Sequence, residues 1–222
     1  MGKKYYIVAI VLLATLSWWI GEDSIAEKKP ADNIYHPSLF LKFYENELAS
    51  LSGDDPVNAL RSIYKMSANQ SADIGMFLTN LWDMEKISNV EINYSLFSYE
   101  PLKLMLAQSL LQRSMRTTEI LDYVYSTVNM EDVDNQYPTI QALRLSNDNR
   151  SLEYLRDYSI KGNRTTAEYA IPGIVHWAYY GSNKEKASSE LDMVRRHTSH
   201  HDIINKYVDG YEKDKRSKEQ GS

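Results

Sequence analysis

The sequence predicts an all-α fold, because apolar residues return at helical spacing along almost the whole chain of 222 residues. In the segments 74–82, 171–179 and 203–211 they recur every third or fourth residue, which places them on one side of a helix. The segment 90–96 alternates apolar and polar residues, as strands do, but no second strand signal lies nearby to pair with it. We therefore expect an extended connection or a poor helix there.

Proline and glycine mark the ends of the predicted helices. Pro56 and Pro101 stand at first helical positions, where the missing N–H of proline costs nothing. Gly53, Gly162 and Gly181 stand where helices should stop. These signals divide the chain into short helices with short connections, which is the pattern of antiparallel helix pairs.

Ten helices follow from these signals. They are expected near residues 38–51, 56–67, 71–86, 101–114, 117–129, 138–146, 149–160, 166–180, 184–197 and 200–213. The helix 101–114 is apolar on most sides, so we expect it to be central. Pro172 is expected to kink the eighth helix or to mark a break within it.

An apolar segment opens the chain. Lys3 and Lys4 precede Tyr5–Ile20, which carries no charge and would span about 24 Å as a helix. Residues 1–26 are therefore interpreted as an uncleaved signal anchor or as a signal peptide cleaved after Ala26, and less readily as a buried helix. Both leading interpretations place the remainder on the extracytoplasmic side of a membrane, most simply a bacterial inner membrane with its periplasm. If the segment is an anchor, the N-terminus lies inside.

The rest of the chain is expected to have three parts. Residues 27–37 form a linker, and residues 38–212 form a helical, repeat-like domain. Residues 213–222 are polar throughout and are expected to be a disordered tail.

Composition excludes several classes of function. The chain has no cysteine, so disulfides, thiolate metal sites, a cysteine nucleophile and a lipoprotein anchor are all excluded. The net charge of −5 disfavours general binding to nucleic acid. No phosphate-binding glycine loop and no nucleophile-elbow motif occurs, so no catalytic residue and no cofactor is predicted.

A four-residue phrase recurs along the chain. It reads Leu121-Asp122-Tyr123-Val124, Leu152-Glu153-Tyr154-Leu155 and Leu191-Asp192-Met193-Val194, with a looser copy at Leu81-Trp82-Asp83-Met84. Alanines recur in the other helices of the pairs, at Ala59, Ala107, Ala142 and Ala178.

With these phrases and alanines, residues 55–197 resemble HEAT-like or armadillo-like repeats. The resemblance implies a short α-solenoid with a curved surface that binds a protein or peptide. The alternative is an irregular helical bundle in which the phrases recur by chance.

Tyrosine is unusually common, with 17 residues against 4 Phe and 4 Trp. Its ring packs while its hydroxyl reaches polar groups, and it anchors many interfaces. We expect most tyrosines to lie half-buried between helix pairs and some to line a peptide-binding groove. The residues in question are Tyr64, Tyr123, Tyr125, Tyr154, Tyr158, Tyr169, Tyr179, Tyr180, Tyr207 and Tyr211.

The densest group of possible metal ligands is His197, His200, His201 and Asp202. Two histidines four residues apart on one helix could bind zinc or nickel. The competing interpretation is that Ser199 caps a new helix, in which Asp202 complements the N-terminus. That interpretation breaks the helix between His197 and His201 and separates them.

Together these observations predict a membrane-tethered or secreted interaction module that is not an enzyme. Its partner would be a protein or peptide, and not a nucleic acid. A helical envelope hydrolase is the alternative, and it would require a buried acid or histidine facing a cleft. A metal-responsive protein using the His197–His201 cluster is the third possibility.

Overall fold

The computed structural model describes residues 43–87 and 90–220, and this part of the chain is all-helical. Contacts group Tyr44–Ser222 into one unit. Its α-helices are α1 (Glu45–Ser52), α2 (Pro56–Ser67), α3 (Ala72–Trp82), α4 (Glu100–Leu111), α5 (Thr117–Ser126), α6 (Val133–Leu143), α7 (Asn149–Lys161), α8 (Arg164–Tyr180), α9 (Lys184–His197) and α10 (His201–Gln220). A 3₁₀ helix, Tyr94–Ser98, precedes α4.

The helices stack in two layers. In the first layer α2, α4, α6, α8 and α10 follow one another, and each contacts the next. In the second layer α5, α7 and α9 each pack between or beside first-layer helices, and α3 packs on α4. Short connections make successive helices antiparallel. The all-α fold built from antiparallel helix pairs is thus confirmed.

The recurring phrases and alanines lie at matching places in these layers. The first leucine of every phrase is buried, and these leucines lie on the four second-layer helices, at Leu81, Leu121, Leu152 and Leu191. The recurring alanines all lie on first-layer helices, and Ala59, Ala107 and Ala142 are fully buried. Small residues at these positions allow neighbouring helices of the first layer to approach closely.

Helix α6 begins five residues earlier than the sequence predicts. Pro138, the predicted first residue, lies inside the helix, which begins at Val133. A proline within the first two turns removes few intrahelical bonds, since the first four N–H groups have no helical partner. Helix α8 likewise runs without a break through Pro172.

Helices α3 and α10 also end at other residues than the sequence predicts. Helix α3 ends at Trp82, before Met84 adopts a φ of 55° that no helix continues. Residues 90–93 form an irregular connection, and residues 94–98 form the 3₁₀ helix, so the segment 90–96 contains no strand. Helix α10 continues to Gln220, so residues 213–220 are helical. The polar sequence does not prevent this, because extending an existing helix is far less costly than nucleating one.

The predictions for the N-terminal segment concern residues that lie outside the described part of the chain. These are the signal anchor or signal peptide over 1–26, the linker over 27–37 and the beginning of the first helix at 38. Within the part of the chain that the structure describes, no helix is both long enough and apolar enough to cross a membrane.

Candidate functional site

The most distinctive surface joins three consecutive first-layer helices, α6, α8 and α10. We call it the tyrosine face and define it by Tyr137, Arg144, Tyr169, His176, Tyr180, Tyr207 and Tyr211. Six of these residues are half-buried, and Tyr180 is 43% exposed. Such a surface combines aromatic contact area with polar groups, which is the composition of many protein interfaces.

Helical spacing brings these side chains to one side of each helix. On α6, Tyr137 and Arg144 are seven residues apart, and on α10, Tyr207 and Tyr211 are four apart. On α8 the positions 169, 173, 176 and 180 follow the same pattern. The face is therefore a product of three amphipathic helices stacked side by side.

Tyr137 and Tyr169 join α6 to α8. Their ring centroids lie 4.7 Å apart in an edge-to-face arrangement, which is the favoured geometry for aromatic pairs. Burial raises the pKa of Tyr137 to about 12, and it also raises the pKa of Tyr169. Both phenols therefore stay protonated at neutral pH and can donate hydrogen bonds.

Tyr211 joins α10 to α8. Its hydroxyl lies 3.2 Å from Nδ1 of His176, and its ring stacks on Tyr179 with centroids 5.4 Å apart. Tyr180 meets the same ring edge-on at 5.3 Å. The four side chains form one continuous aromatic cluster across the two helices.

Arg144 supplies the positive charge of the face. Its backbone oxygen accepts a hydrogen bond of 3.0 Å from Nε1 of Trp177. Burial lowers the pKa of its guanidinium. The opposing electrostatic effect comes from the phenols of Tyr207, Tyr137 and Tyr211 and is smaller. Arginine stays charged in proteins, so the face has a cation set among neutral phenols.

Gly173 gives Arg144 its place. A Cβ added to Gly173 would lie only 2.5 Å from Cγ of Arg144. The arginine stem therefore crosses the backbone of α8 at the one point where no side chain intervenes. This close approach fixes where the stem of the arginine can lie.

Acidic residues lie around the edge of the face. Glu168 is an electrostatic neighbour of Tyr169, and Glu212 accepts a hydrogen bond of 2.8 Å from the Tyr179 hydroxyl. Asp209 is a further electrostatic neighbour of Tyr179. The face is thus positive near Arg144 and negative at its edge.

Other aromatic groups have internal roles in the second layer. The Nζ atom of Lys103 lies 5.3 Å from the ring of Trp82 and 4.7 Å from that of Tyr123. The guanidinium of Arg150 lies 4.4 Å from the ring of Tyr125. These cation–π contacts join neighbouring helices.

The structure separates the predicted metal ligands by a helix break. Helix α9 ends at His197, and α10 begins at His201. The hydroxyl of Thr198, and not the predicted Ser199, accepts a hydrogen bond of 3.2 Å from the backbone N–H of His200. Asp202 forms an ion pair with Arg164. Among the described residues, no group of three His, Cys, Asp or Glu side chains is placed to hold a metal.

The buried acids serve as ion-pair partners. Glu190, which is 4% exposed, lies 2.9 Å from Arg156 and 2.6 Å from Lys186. Glu47 pairs with Lys65. A cavity of about 380 Å³ near the start of α3 is lined by Gln70, Ser71, Ala72, Gly75, Met76, Arg113 and Met115, without any acid or histidine.

The sequence names Tyr169, Tyr180, Tyr207 and Tyr211 as candidates, but it does not reveal that Tyr137, Arg144 and His176 share one surface with them. The sequence does contain the pattern that places Tyr137 and Arg144 on one side of α6, since Tyr137, Gln141 and Arg144 have helical spacing. The pattern is hidden because the predicted helix begins at Pro138, which leaves Tyr137 outside it.

Comparisons with protein-family models, with curated proteins and with solved structures give no significant match to this chain.

Proposed function

We propose that this chain is a protein-interaction module, without enzymatic activity, that binds its partner through the tyrosine face. The observation that carries the proposal is the continuous cluster of tyrosines around Arg144 on three stacked helices. Tyrosine and arginine are the residue types that most often dominate binding energy at interfaces.

The stacked layers support the same proposal. We propose that the helix pairs are related to HEAT-like or armadillo-like repeats, because the phrases and alanines occupy matching places in successive pairs. Repeats of this kind present extended surfaces along the stack, and the tyrosine face extends along three helices in that direction.

We further propose that the module acts on the extracytoplasmic side of a membrane. The support for this is the sequence of residues 1–26, with two lysines before a long uncharged segment and acidic residues after it. If that segment is retained, it tethers the module to the membrane.

Capture of the partner from native membranes, with the full-length chain as bait, tests the proposal. Tyr180→Ala is expected to lower partner recovery at least about tenfold, since truncation of a tyrosine that is a binding hot spot costs about 2 kcal/mol or more. Tyr99→Ala is the matched control, because Tyr99 is 39% exposed but lies at the start of α4, outside the tyrosine face. Equal recovery with both variants would contradict the proposal.

A further inference from the structure

We infer that α10 pairs with α10 of a second copy of this chain, in an antiparallel crossing centred on Gly210. The inference does not depend on the proposed function, because it concerns a contact between two copies of the chain and not the binding of another protein. It rests on a glycine that no neighbour requires and on two charges placed symmetrically around it.

No neighbour in the described part of the chain requires a glycine at position 210. Gly210 is exposed in the interior of α10, and its backbone is not in the left-handed region. A Cβ added to it would meet no atom within 4 Å. Glycine inside a helix is nevertheless less stable than alanine, because it loses more conformational freedom on folding. What the missing side chain does allow is the close approach of a second helix to the backbone of α10.

Gly210 lies at the centre of a ridge of three residues. Lys206, Gly210 and Asp214 follow one another at intervals of four, and residues at this spacing form one of the ridges along which helices pack. All three residues are exposed. The ridge therefore has a cation at one end, an anion at the other end and a gap between them.

The two charges of this ridge form no ion pair within the described part of the chain. Eight residues of helix hold Lys206 and Asp214 about 12 Å apart, so they cannot pair with each other. Asp202, one turn before Lys206, pairs with Arg164 instead. The Nζ atom of Lys206 lies over the ring of Tyr207, 5.4 Å from its centroid. Both charges thus remain accessible to a group outside the chain.

A two-fold axis at Gly210 brings these charges together. When two copies of α10 run in opposite directions and cross at Gly210, each residue four positions before the glycine meets the residue four positions after it. Lys206 of each copy then lies next to Asp214 of the second copy, which gives two ion pairs. Helices that meet through ridges of this kind cross at about 50°. The contact is the same on both copies, so it closes with two chains.

The strength of this contact decides how it is tested. A single helix crossing buries less surface than the roughly 1,200 Å² or more of a standard interface, so the pair is weak and dissociates readily. A covalent trap therefore suits it better than purification of a dimer. The chain has no cysteine, so one introduced thiol reports on one position only.

Disulfide trapping of the full-length chain in the membranes of expressing cells tests the inference. Gly210→Cys places two thiols at the crossing, where Cα atoms within about 7 Å of each other can be bridged. Asn205→Cys is the matched control, because Asn205 is exposed on the far side of α10. On mild oxidation, Gly210→Cys is expected to give at least about fivefold more disulfide-linked dimer than the control. Equal yields, or no dimer from either variant, would overturn the inference.

Charge reversal assigns the contact to its residues. In the Gly210→Cys background, Lys206→Glu or Asp214→Lys alone should lower the dimer yield several-fold, because each places like charges together. Both reversals together should restore the yield, since the two ion pairs form again with opposite polarity. Lys184→Glu is the control, because Lys184 is an exposed lysine at the start of α9. A double reversal that does not restore the yield would contradict the pairing.

A stability measurement checks that the glycine has no task within the single chain. Gly210→Ala should raise the urea concentration at the midpoint of unfolding, because alanine is the better helix former and the added methyl group displaces no neighbour. Circular dichroism checks that every variant is folded. A lower midpoint in Gly210→Ala would show that the fold itself needs the glycine, and it would overturn the inference.

Discussion

At the scale of single residues, Tyr158 shows how far burial can exceed the expectation from sequence. Tyrosines were expected to be half-buried, but Tyr158 on α7 is 1% exposed, and its hydroxyl has no hydrogen-bond partner in the described structure. A buried hydroxyl without a partner costs free energy. Sequence could predict a tyrosine in the seam but not the fate of its hydroxyl, because that depends on side chains from other helices.

Tyr158→Phe is therefore expected to leave the free energy of unfolding unchanged or to raise it by up to about 1 kcal/mol, since the ring is kept and only the unpaired hydroxyl is lost. Tyr158→Leu should instead lower it, through the loss of aromatic packing. Urea denaturation measures both. A loss of more than about 1 kcal/mol in Tyr158→Phe would show that the hydroxyl does have a stabilising partner.

The same residue gives an effect at alkaline pH. Burial raises the pKa of Tyr158 from 10.0 to about 12, so the folded chain holds this proton where the unfolded chain releases it. Stability should therefore fall as pH rises above 10. The fall should be smaller in Tyr158→Phe, although not absent, because Tyr123 and Tyr137 have pKa values raised in the same way. Identical pH profiles for the two proteins would contradict this origin.

At the scale of elements, Asp148 illustrates how a helix start is fixed. It caps α7 by accepting a hydrogen bond of 2.8 Å from the backbone N–H of Ser151, and it also accepts bonds from Ser146 and from Tyr125 of α5. Burial alone would raise its pKa, but these bonds hold the pKa below the usual 3.8. The cap thus joins the start of one helix to the previous pair.

Asp148→Ala should lower the free energy of unfolding by about 1 to 2 kcal/mol at pH 7, the usual loss for a helix cap. Because the folded pKa is depressed, this contribution is present above pH 3.8 and is lost as pH falls through the folded value. The difference between the two proteins should therefore shrink in acid, as measured by urea denaturation from pH 7 to pH 2.5. A difference that stays constant over this range would exclude the charged cap.

Element boundaries also show what sequence could and could not provide. Pro56 and Asp55 mark α2 as expected, because the aspartate accepts bonds from the next two N–H groups. Pro138 was misleading, since a proline is tolerated either at the first helical position or slightly later. Gly181 ends α8 as expected, but its backbone is extended, with a φ of −68° and a ψ of 159°, so no left-handed turn requires a glycine there. A side chain at this position would instead collide with Asn147, since an added Cβ would lie 2.6 Å from its Nδ2 atom.

At the scale of the whole molecule, the pattern of apolar residues was sufficient for the all-α fold and for the ten α-helices of the described residues. The two layers were suggested by the recurring phrases, since their leucines are buried on second-layer helices and the alanines lie on the first. The tyrosine face was not predictable as a unit, because it is created by the stacking of α6, α8 and α10. Arg144 was missed for the same reason.

Site-specific photo-crosslinking tests the central claim most directly. A photoreactive amino acid replaces Tyr180 on the tyrosine face or, as the control, Asp122 on the exposed side of the second-layer helix α5. In intact cells, the account expects a crosslinked partner from position 180 and little or none from position 122. Equal yields from the two positions, or a partner that crosslinks from position 122 alone, would contradict the claim that this module binds through the tyrosine face.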